Sequence, residues 1–228
     1  MAFGSNDSEL AVLFSDDWMI AVCKPSGLAV HRGWAREDDT ALARVRRLLG
    51  QRVYPIHRLD RGTSGVLVFA RDGETASRMG VAWQAGQVTK RYLALVRGVP
   101  PDCGTIDHPI PRQAGGERVA AVTEFRRLRR SSSERCSLVE ACPRTGRLHQ
   151  VRRHLKHISH PLVGDTKYGR GDINRLYRAS YGLCRLALHA ASVDISHPWS
   201  GAALELRAPL TRDLREPFGA LGVLDGTE

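Results

Sequence analysis

The sequence feature that most constrains the fold is an uninterrupted apolar run at residues 65–70 (GVLVFA). A short apolar run beside turn residues is typical of a β-strand that is buried on both faces. We therefore expect residues 65–70 to form a fully buried strand.

Hydrophobic patterning elsewhere predicts a mixture of strands and helices. Strands are expected at residues 10–14, 18–23, 91–96, 119–128, 136–142, 186–195 and 204–206. Helices are expected after a cap at Asp39 or Thr40, at residues 73–83 and 147–158, and from Thr211. The polar, Arg-rich residues 169–182 are interpreted as a surface loop. Because strands and helices do not alternate regularly, the pattern favours an α+β fold with mainly antiparallel pairing, and residues 1–228 are predicted to form one domain.

The charge balance indicates an anionic partner. Lys and Arg number 34 against 24 Asp and Glu, so the formal net charge is +10. Arginines dominate and cluster at residues 44–52, 126–130 and 144–156, and guanidinium groups suit phosphate oxygens and base edges. A merely soluble basic protein is the alternative, and charge does not distinguish RNA from DNA.

Cysteine usage and hydropathy bear on the compartment. The five cysteines are an odd number without C-x-x-C spacing, which is typical of reduced thiols. No signal peptide and no apolar segment of membrane-spanning length is evident. We expect a soluble cytoplasmic protein without membrane association.

The segment HRLDRGTSG at residues 57–65 is the first candidate for chemistry. Two glycines and two hydroxyl residues predict a tight loop before the buried strand. Asp60 lies between Arg58 and Arg61, cations that favour its ionised form and hence a role as nucleophile or base. A structural Asp that caps loop amides explains the spacing equally well.

The second candidate is residues 144–154 (RTGRLHQVRRH), in which Thr145 and Gly146 predict a turn followed by a helix. Arg147 is placed to bind a phosphate or to pair with a carboxylate such as Asp60. A solvated basic face is the alternative.

Histidines 149, 154, 157 and 160 raise the question of a metal, but their spacing matches no zinc-ligand pattern. Histidines bonded within the fold or near RNA are expected instead. No phosphate-cradling glycine motif occurs, so no nucleotide cofactor is predicted.

Tyr92, at the head of a predicted strand, is either a half-buried strand aromatic or a platform that stacks on a base.

Taken together, these segments resemble the RluA-type family of pseudouridine synthases. HRLDRGTSGVLVFA at residues 57–70 is similar to the catalytic-loop motif of that family. RTGRLHQVRRHLKHISHPLVGDTKYG at residues 144–169 is similar to its second long signature. AVCKPSGLAVH, KRY at residues 90–92 and RLALHA at residues 185–190 follow in the expected order, so the resemblance covers residues 10–209.

The resemblance implies a mixed, mainly antiparallel central sheet with flanking helices, a catalytic cleft, and isomerisation of uridine in RNA without cofactor or metal. By motif, Asp60 is the essential carboxylate, Arg147 its basic partner, and Tyr92 the residue that packs on the target base. Arg58 fills the gap left by the flipped nucleotide, and Leu188 is an apolar contact in the pocket. The other RNA contacts implied are His57, Arg61, Arg144, His149, Gln150, Arg152 and Arg153.

Within the family, VHRGW at residues 30–34 and SHPWSG at residues 196–201 are similar to the tRNA-acting C-type branch, which modifies uridine 65. We expect no S4-like amino-terminal RNA-binding module, a monomer, and a tRNA substrate. An rRNA-directed member of the family and a non-catalytic RNA-binding module or chaperone are the alternatives. A nuclease is disfavoured because Asp60 lacks the paired carboxylates that hold catalytic metals.

Overall fold

A computed structural model describes residues 10–32, 38–112 and 115–224, so Gly33 and Trp34 of the VHRGW segment lie outside the described residues. The chain divides into two compact units. One comprises Met1–Val88 and Val193–Pro209, and the other comprises Thr89–Ser192 and Leu210–Glu228.

The first unit begins with an antiparallel sheet. Its elements are β1 (Ala11–Ser15), β2 (Met19–Lys24), α1 (Ala41–Leu49), β3 (Tyr54–Pro55), β4 (Ser64–Ala70) and α2 (Gly73–Gln84). The strand order is β1-β2-β4, with β3 also pairing with β4. Every residue of β4 is buried, which confirms the strand predicted from the apolar run.

Local signals explain why α1 begins and ends where it does. The Thr40 side chain accepts a hydrogen bond from the Ala43 amide at 3.1 Å, so Thr40 is the cap. Asp39 instead forms an ion pair with Arg44. Gly50 adopts a left-handed conformation with φ of +64° and ends the helix, as predicted.

The register of the first sheet fixes the position of the candidate loop. Lys24 pairs with Gly65 at one end of β2 and β4, and Met19 pairs with Ala70 at the other. The turn after β2 and the loop before β4 therefore lie at the same end of the sheet.

The second unit contains antiparallel strands and helices. Its elements are β5 (Thr89–Arg97), β6 (Cys103–Asp107), β7 (Ile110–Pro111), β8 (Arg118–Val119), β9 (Val122–Arg130), β10 (Cys136–Pro143), α3 (Gln150–His157) and α4 (Gly171–Tyr181). The chain ends with β11 (Leu188–Ser196), β12 (Ala203–Arg207) and α5 (Arg212–Ala220). β12 and residues 193–196 of β11 belong to the first unit. The strand order within the second unit is β5-β10-β9-β6, and β7 pairs with β8.

Each unit has its own hydrophobic core. In the first, Val66 and Val68 of β4 pack with Met79 of α2 and with Val193 and Ile195 of β11. In the second, one cluster joins β5 and β10 to α3, and another joins α4 and α5. The predicted α+β class with mainly antiparallel pairing is confirmed.

The predictions for residues 169–182 and 147–158 differ from the structure. Residues 169–182 are not a loop, because Gly171–Tyr181 form α4. Ile173, Tyr177 and Tyr181 recur at four-residue intervals and pack on the core, although the arginines between them make the segment look polar. The helix predicted at residues 147–158 begins only at Gln150, because His149 has a φ of +54° and cannot belong to it.

The sequence also predicts reduced cysteines and no membrane-spanning segment. All five cysteines are free thiols, as predicted. Among the helices of residues 10–32, 38–112 and 115–224, none is long and apolar enough to traverse a bilayer.

Candidate active site

Asp60 lies in the loop between β3 and β4, directly before the fully buried strand. Its carbonyl accepts a hydrogen bond from the Thr63 amide at 3.0 Å, which closes a tight turn. Gly65 has a φ of +114°, a conformation open to glycine and strained for other residues, where the chain enters β4. Asp60 is half-buried, whereas Arg58 and Arg61 beside it are exposed. The loop therefore carries its carboxylate on backbone that is fixed at both ends.

The turn after β2 clamps the residues that follow Asp60. The Gly27 amide donates to the Arg61 carbonyl at 2.8 Å, and the Arg61 Nε donates to the Gly27 carbonyl at 2.8 Å. The Ser26 hydroxyl donates to the Gly62 carbonyl at 2.9 Å. Three hydrogen bonds thus join two turns that are more than thirty residues apart in the sequence.

Lys24 is a buried residue beside the Asp60 loop that the sequence analysis did not single out. Its side chain is fully buried, and its ammonium donates to the carbonyls of Pro25 and Leu28 at 2.8 Å and of Arg61 at 3.3 Å. A fully buried lysine is rare without partners, and here carbonyl dipoles solvate the charge. The available signal was a lone Lys between an apolar strand and a Pro-Ser-Gly turn.

His57 is held within the first unit. Its ring stacks on Trp83 with centroids 4.6 Å apart, and its Nε2 accepts a hydrogen bond from the Val68 amide at 3.2 Å. Nε2 is therefore an unprotonated acceptor in this arrangement. The RNA contact implied for His57 stays a prediction.

Tyr92 lies near the head of β5 in the second unit, where it is half-buried and packs on the hydrophobic core. Two residues earlier, Lys90 donates to the Thr145 carbonyl at 3.2 Å. Burial lowers the pKa of Lys90. This bond ties the head of β5 to the Arg144–Arg147 segment, so two of the motifs meet within one unit.

Gln150 organises the loop that precedes α3. Its side-chain oxygen accepts from the Thr145 hydroxyl at 2.7 Å and from the Arg147 amide at 2.9 Å. Its side-chain nitrogen donates to the Val122 carbonyl at 2.8 Å and to the Thr123 hydroxyl at 3.0 Å. Gln150 is buried, so these bonds hold the loop to β9.

The two arginines of this loop are exposed. Arg147 donates through Nε to the Ala120 carbonyl at 3.1 Å. Arg144 forms a two-pronged ion pair with Glu124, at 2.7 and 3.0 Å. Asp60 belongs to the first unit and Arg147 to the second, and their pairing stays a prediction.

The arginines of α3 have different surroundings. Arg152 is buried and forms a bidentate pair with Asp165, at 2.8 and 2.9 Å. Burial opposes ionisation of Asp165, but hydrogen bonds from Arg152 and from the amides of Tyr168 and Lys167 hold its pKa below the ordinary value. Arg153 donates instead to the Tyr168 hydroxyl at 2.8 Å.

The four histidines of the second signature lie in separate environments. His154 is buried, with its ring nitrogens 2.8 Å from the Thr123 hydroxyl and 2.9 Å from the His108 carbonyl, and burial lowers its pKa. His157 stacks on His108 with centroids 3.7 Å apart. His149 Nδ1 lies 2.9 Å from the Tyr168 hydroxyl, and His160 Nδ1 lies 2.8 Å from the Arg97 carbonyl. Within the described part of the chain, no three His, Cys, Asp or Glu side chains converge as metal ligands.

The structure distributes the predicted site residues over the two units. His57, Arg58, Asp60 and Arg61 lie together in one loop of the first unit. The second unit holds Tyr92, Arg144, Arg147, His149, Gln150, Arg152, Arg153 and Leu188. Leu188 is buried at the start of β11 and packs in the same cluster as Tyr92.

Comparison with known proteins decides the family. A family model described as RNA pseudouridylate synthase matches residues 18–157, which include Asp60, Tyr92 and Arg147. The chain belongs to the RNA pseudouridylate synthase family. This confirms the resemblance and makes the protein an isomerase that acts on RNA.

Similar proteins span most of this synthase. It is 37% identical over 222 residues to "tRNA pseudouridine synthase C" of Vibrio cholerae, covering 88% of this chain and 91% of the relative. It is 41% identical over 212 residues to the protein of the same name from Pasteurella multocida, covering 83% and 86%. The solved structure "Human RNA Pseudouridylate Synthase Domain Containing 4" matches with a TM-score of 0.75 at 30% identity, over 93% of each chain.

Proposed function

We propose that this synthase converts one defined uridine of tRNA, uridine 65, to pseudouridine, with Asp60 as the essential carboxylate. The observation that carries the proposal is the Asp60 loop, which is clamped through its backbone to the turn after β2. The tRNA substrate is supported by the names of the relatives from Vibrio cholerae and Pasteurella multocida.

The reaction defines what Asp60 must do. The N1–C1′ bond of uridine breaks, the uracil rotates, and C5 joins C1′ while the C5 hydrogen leaves. Asp60 must be ionised whether it adds to the base, attacks C1′ or removes a sugar proton. The base must first leave the helical stack, which costs about a few kcal/mol.

The other roles follow from the family motifs. We propose that Arg147 pairs with the Asp60 carboxylate, that Tyr92 packs on the uracil, and that Arg58 occupies the gap left by the flipped nucleotide. The exposure of Arg58 and Arg147 supports these roles, because both guanidinium groups are accessible to RNA. Leu188 then contributes an apolar contact to the base.

We further propose that the two units act as one catalytic domain in a cytoplasmic monomer. The family match supports this proposal, since residues 18–157 draw on both units. Sedimentation at micromolar concentration tests the monomer, and a stable dimer contradicts it.

Release of tritium from tRNA labelled at uridine C5 is the direct assay. We expect Asp60→Asn to abolish release while leaving tRNA binding intact. The matched control is Asp17→Asn, which removes the same charge from an exposed position in the first unit and should retain full activity. Wild-type release rates from Asp60→Asn contradict the role of Asp60.

Mapping of pseudouridine in cellular RNA tests the substrate. We expect loss of the gene to remove pseudouridine from position 65 of tRNA and from no rRNA position. Loss confined to rRNA assigns the enzyme to the rRNA-directed branch instead. Binding without tritium release from any RNA indicates a non-catalytic module.

A further inference from the structure

Tyr168, in the turn after α3, is surrounded by cations. The guanidinium carbons of Arg152 and Arg153 lie 5.1 and 5.7 Å from its ring centroid. The ammonium nitrogens of Lys156 and Lys167 lie 5.9 and 5.8 Å from it. Each distance is in the range of a cation–π interaction, but four cations around one ring also repel each other.

Only one of the four has a carboxylate partner among the described residues. Arg152 is neutralised by Asp165. Arg153 bonds to neutral groups, the Tyr168 hydroxyl and the Pro111 carbonyl at 3.1 Å. Within residues 10–32, 38–112 and 115–224, no ion pair involves Lys156 or Lys167.

Two exposed arginines of the same unit show the opposite arrangement. Arg126 is paired with Glu140, and Arg144 is paired with Glu124. Around the ring of Tyr168, in contrast, three of the four cations have no carboxylate partner among the described residues.

The backbone under this concentration of charge is rigid. The Asp165 carboxylate accepts from the amides of both Lys167 and Tyr168 at 2.9 Å. The Asn174 side chain accepts from the Gly164 amide at 2.9 Å and donates to the Asp165 carbonyl at 3.0 Å. The main chain that carries Lys167 and Tyr168 is therefore ordered before any ligand binds, which reduces the entropic cost of binding.

We propose that the Tyr168 cluster, defined as Arg153, Lys156 and Lys167 around Tyr168, binds the phosphate backbone of the RNA substrate away from the isomerised nucleotide. Polyanion binding relieves the repulsion among these charges and releases counterions from the phosphates.

The position of the cluster along α3 supports a contact outside the reaction site. Arg147 precedes Gln150, the first residue of α3, and Lys156 lies six residues further along the helix. At about 1.5 Å of rise per residue, Lys156 is about 9 Å along the axis from Gln150. The cluster thus extends the RNA surface beyond the motif that contains Arg147. This inference rests on the proposed function.

The test compares two double variants that remove equal charge. Lys156→Gln with Lys167→Gln removes two cations of the cluster, and Arg212→Gln with Arg215→Gln removes two from exposed positions of α5. Binding of fluorescent tRNA is measured by anisotropy at salt concentrations between about 50 and 200 mM, which include the physiological value. Thermal melting confirms that both variants are folded.

We expect the cluster variant to bind tRNA about tenfold more weakly than the wild type, with a slope of log Kd against log salt that is lower by about 1.5. The α5 variant should match the wild type in both affinity and slope. At saturating tRNA, the cluster variant should retain the wild-type kcat of tritium release, with a raised KM. An unchanged slope, or an equal loss in both variants, overturns the proposal. If the wild-type protein releases no tritium from any RNA, the proposed function is wrong. The salt dependence of tRNA binding still tests whether the Tyr168 cluster binds phosphates.

Discussion

The buried ammonium of Lys24 gives the sharpest prediction for the Asp60 loop. Its Nζ donates to the carbonyls of Pro25, Leu28 and Arg61, and its side chain has no exposed surface. We consider Lys24→Met, which preserves most of the length and volume while removing the donor and its charge.

The magnitude follows from those bonds. The two bonds of 2.8 Å, to Pro25 and Leu28, contribute about 1.5–3 kcal/mol each, since the donor is charged. The Arg61 carbonyl keeps the bond from the Gly27 amide, so its loss is smaller. Removal of the buried ammonium offsets part of the loss, because its desolvation costs several kcal/mol. We expect the free energy of unfolding to fall by about 2 kcal/mol.

The rate of tritium release by Lys24→Met should fall by more than the loss of folded protein explains. The bond to the Arg61 carbonyl helps to fix the residue that follows Asp60, so its loss loosens the Asp60 loop. A misplacement of about 1 Å costs roughly a hundredfold in rate. Tritium release should therefore slow about a hundredfold at saturating tRNA, while KM for tRNA changes little.

Urea unfolding followed by tryptophan fluorescence measures the stability, and single-turnover tritium release at a temperature where the variant is folded measures the rate. Ser26→Ala is the control, since it removes one neutral hydrogen bond to the same loop and should cost about 1 kcal/mol. If Lys24→Met matches the wild type in stability and rate, the Lys24 hydrogen bonds have no role in holding the Asp60 loop.

Three further predictions concern the Arg152–Asp165 pair and the turn beside it. Arg152→Met leaves the fully buried Asp165 carboxylate unpaired and should cost about 3–5 kcal/mol in urea unfolding; a loss below about 1 kcal/mol contradicts a buried charge pair. The pKa of Asp165 in the folded protein lies below its unfolded value of about 3.9. Ionised Asp165 therefore stabilises the folded protein above about pH 3.9, and this contribution is lost as the pH falls through the folded pKa. Melting temperatures from pH 6 to pH 2 should therefore fall less steeply in Asp165→Asn, and an equally steep fall excludes Asp165 as a cause. Gly164 has a φ of +76°, and an added Cβ would lie 1.9 Å from the Arg185 carbonyl oxygen, so Gly164→Ala should lower the melting temperature by many degrees or prevent folding; a wild-type melting curve refutes this packing.

Elements with strong local signals were predictable from the sequence. The apolar run that forms β4 is buried throughout, and α1 begins after Thr40 and ends at Gly50 because both caps are encoded locally. In contrast, α4 was interpreted as a loop because its arginines obscure the four-residue spacing of Ile173 and Tyr177. Such a helix is stabilised by the core that it covers, which local patterning does not reveal.

The site was predictable to the extent that its residues are close in sequence. The tight loop around Asp60 and the turn at Thr145 follow from their glycines and hydroxyl residues. The contacts of Lys24 with the Asp60 loop and of Gln150 with β9 were not predictable, because Arg61 and Val122 lie 37 and 28 residues away in the sequence. The helix start at Gln150 depends on the left-handed conformation of His149, for which the sequence gives no glycine signal.

The arginine surplus shows why charge alone is a poor guide to an RNA surface. Arg152 and Arg153 are neighbours in sequence and were both assigned to RNA, yet Arg152 is neutralised by a buried carboxylate and Arg153 is not. What separates them is the presence of Asp165, thirteen residues further along the chain. The cations available to phosphates are those without a carboxylate nearby in space. The salt dependence of tRNA binding should therefore reflect fewer contacts than the 34 Lys and Arg residues of the chain imply.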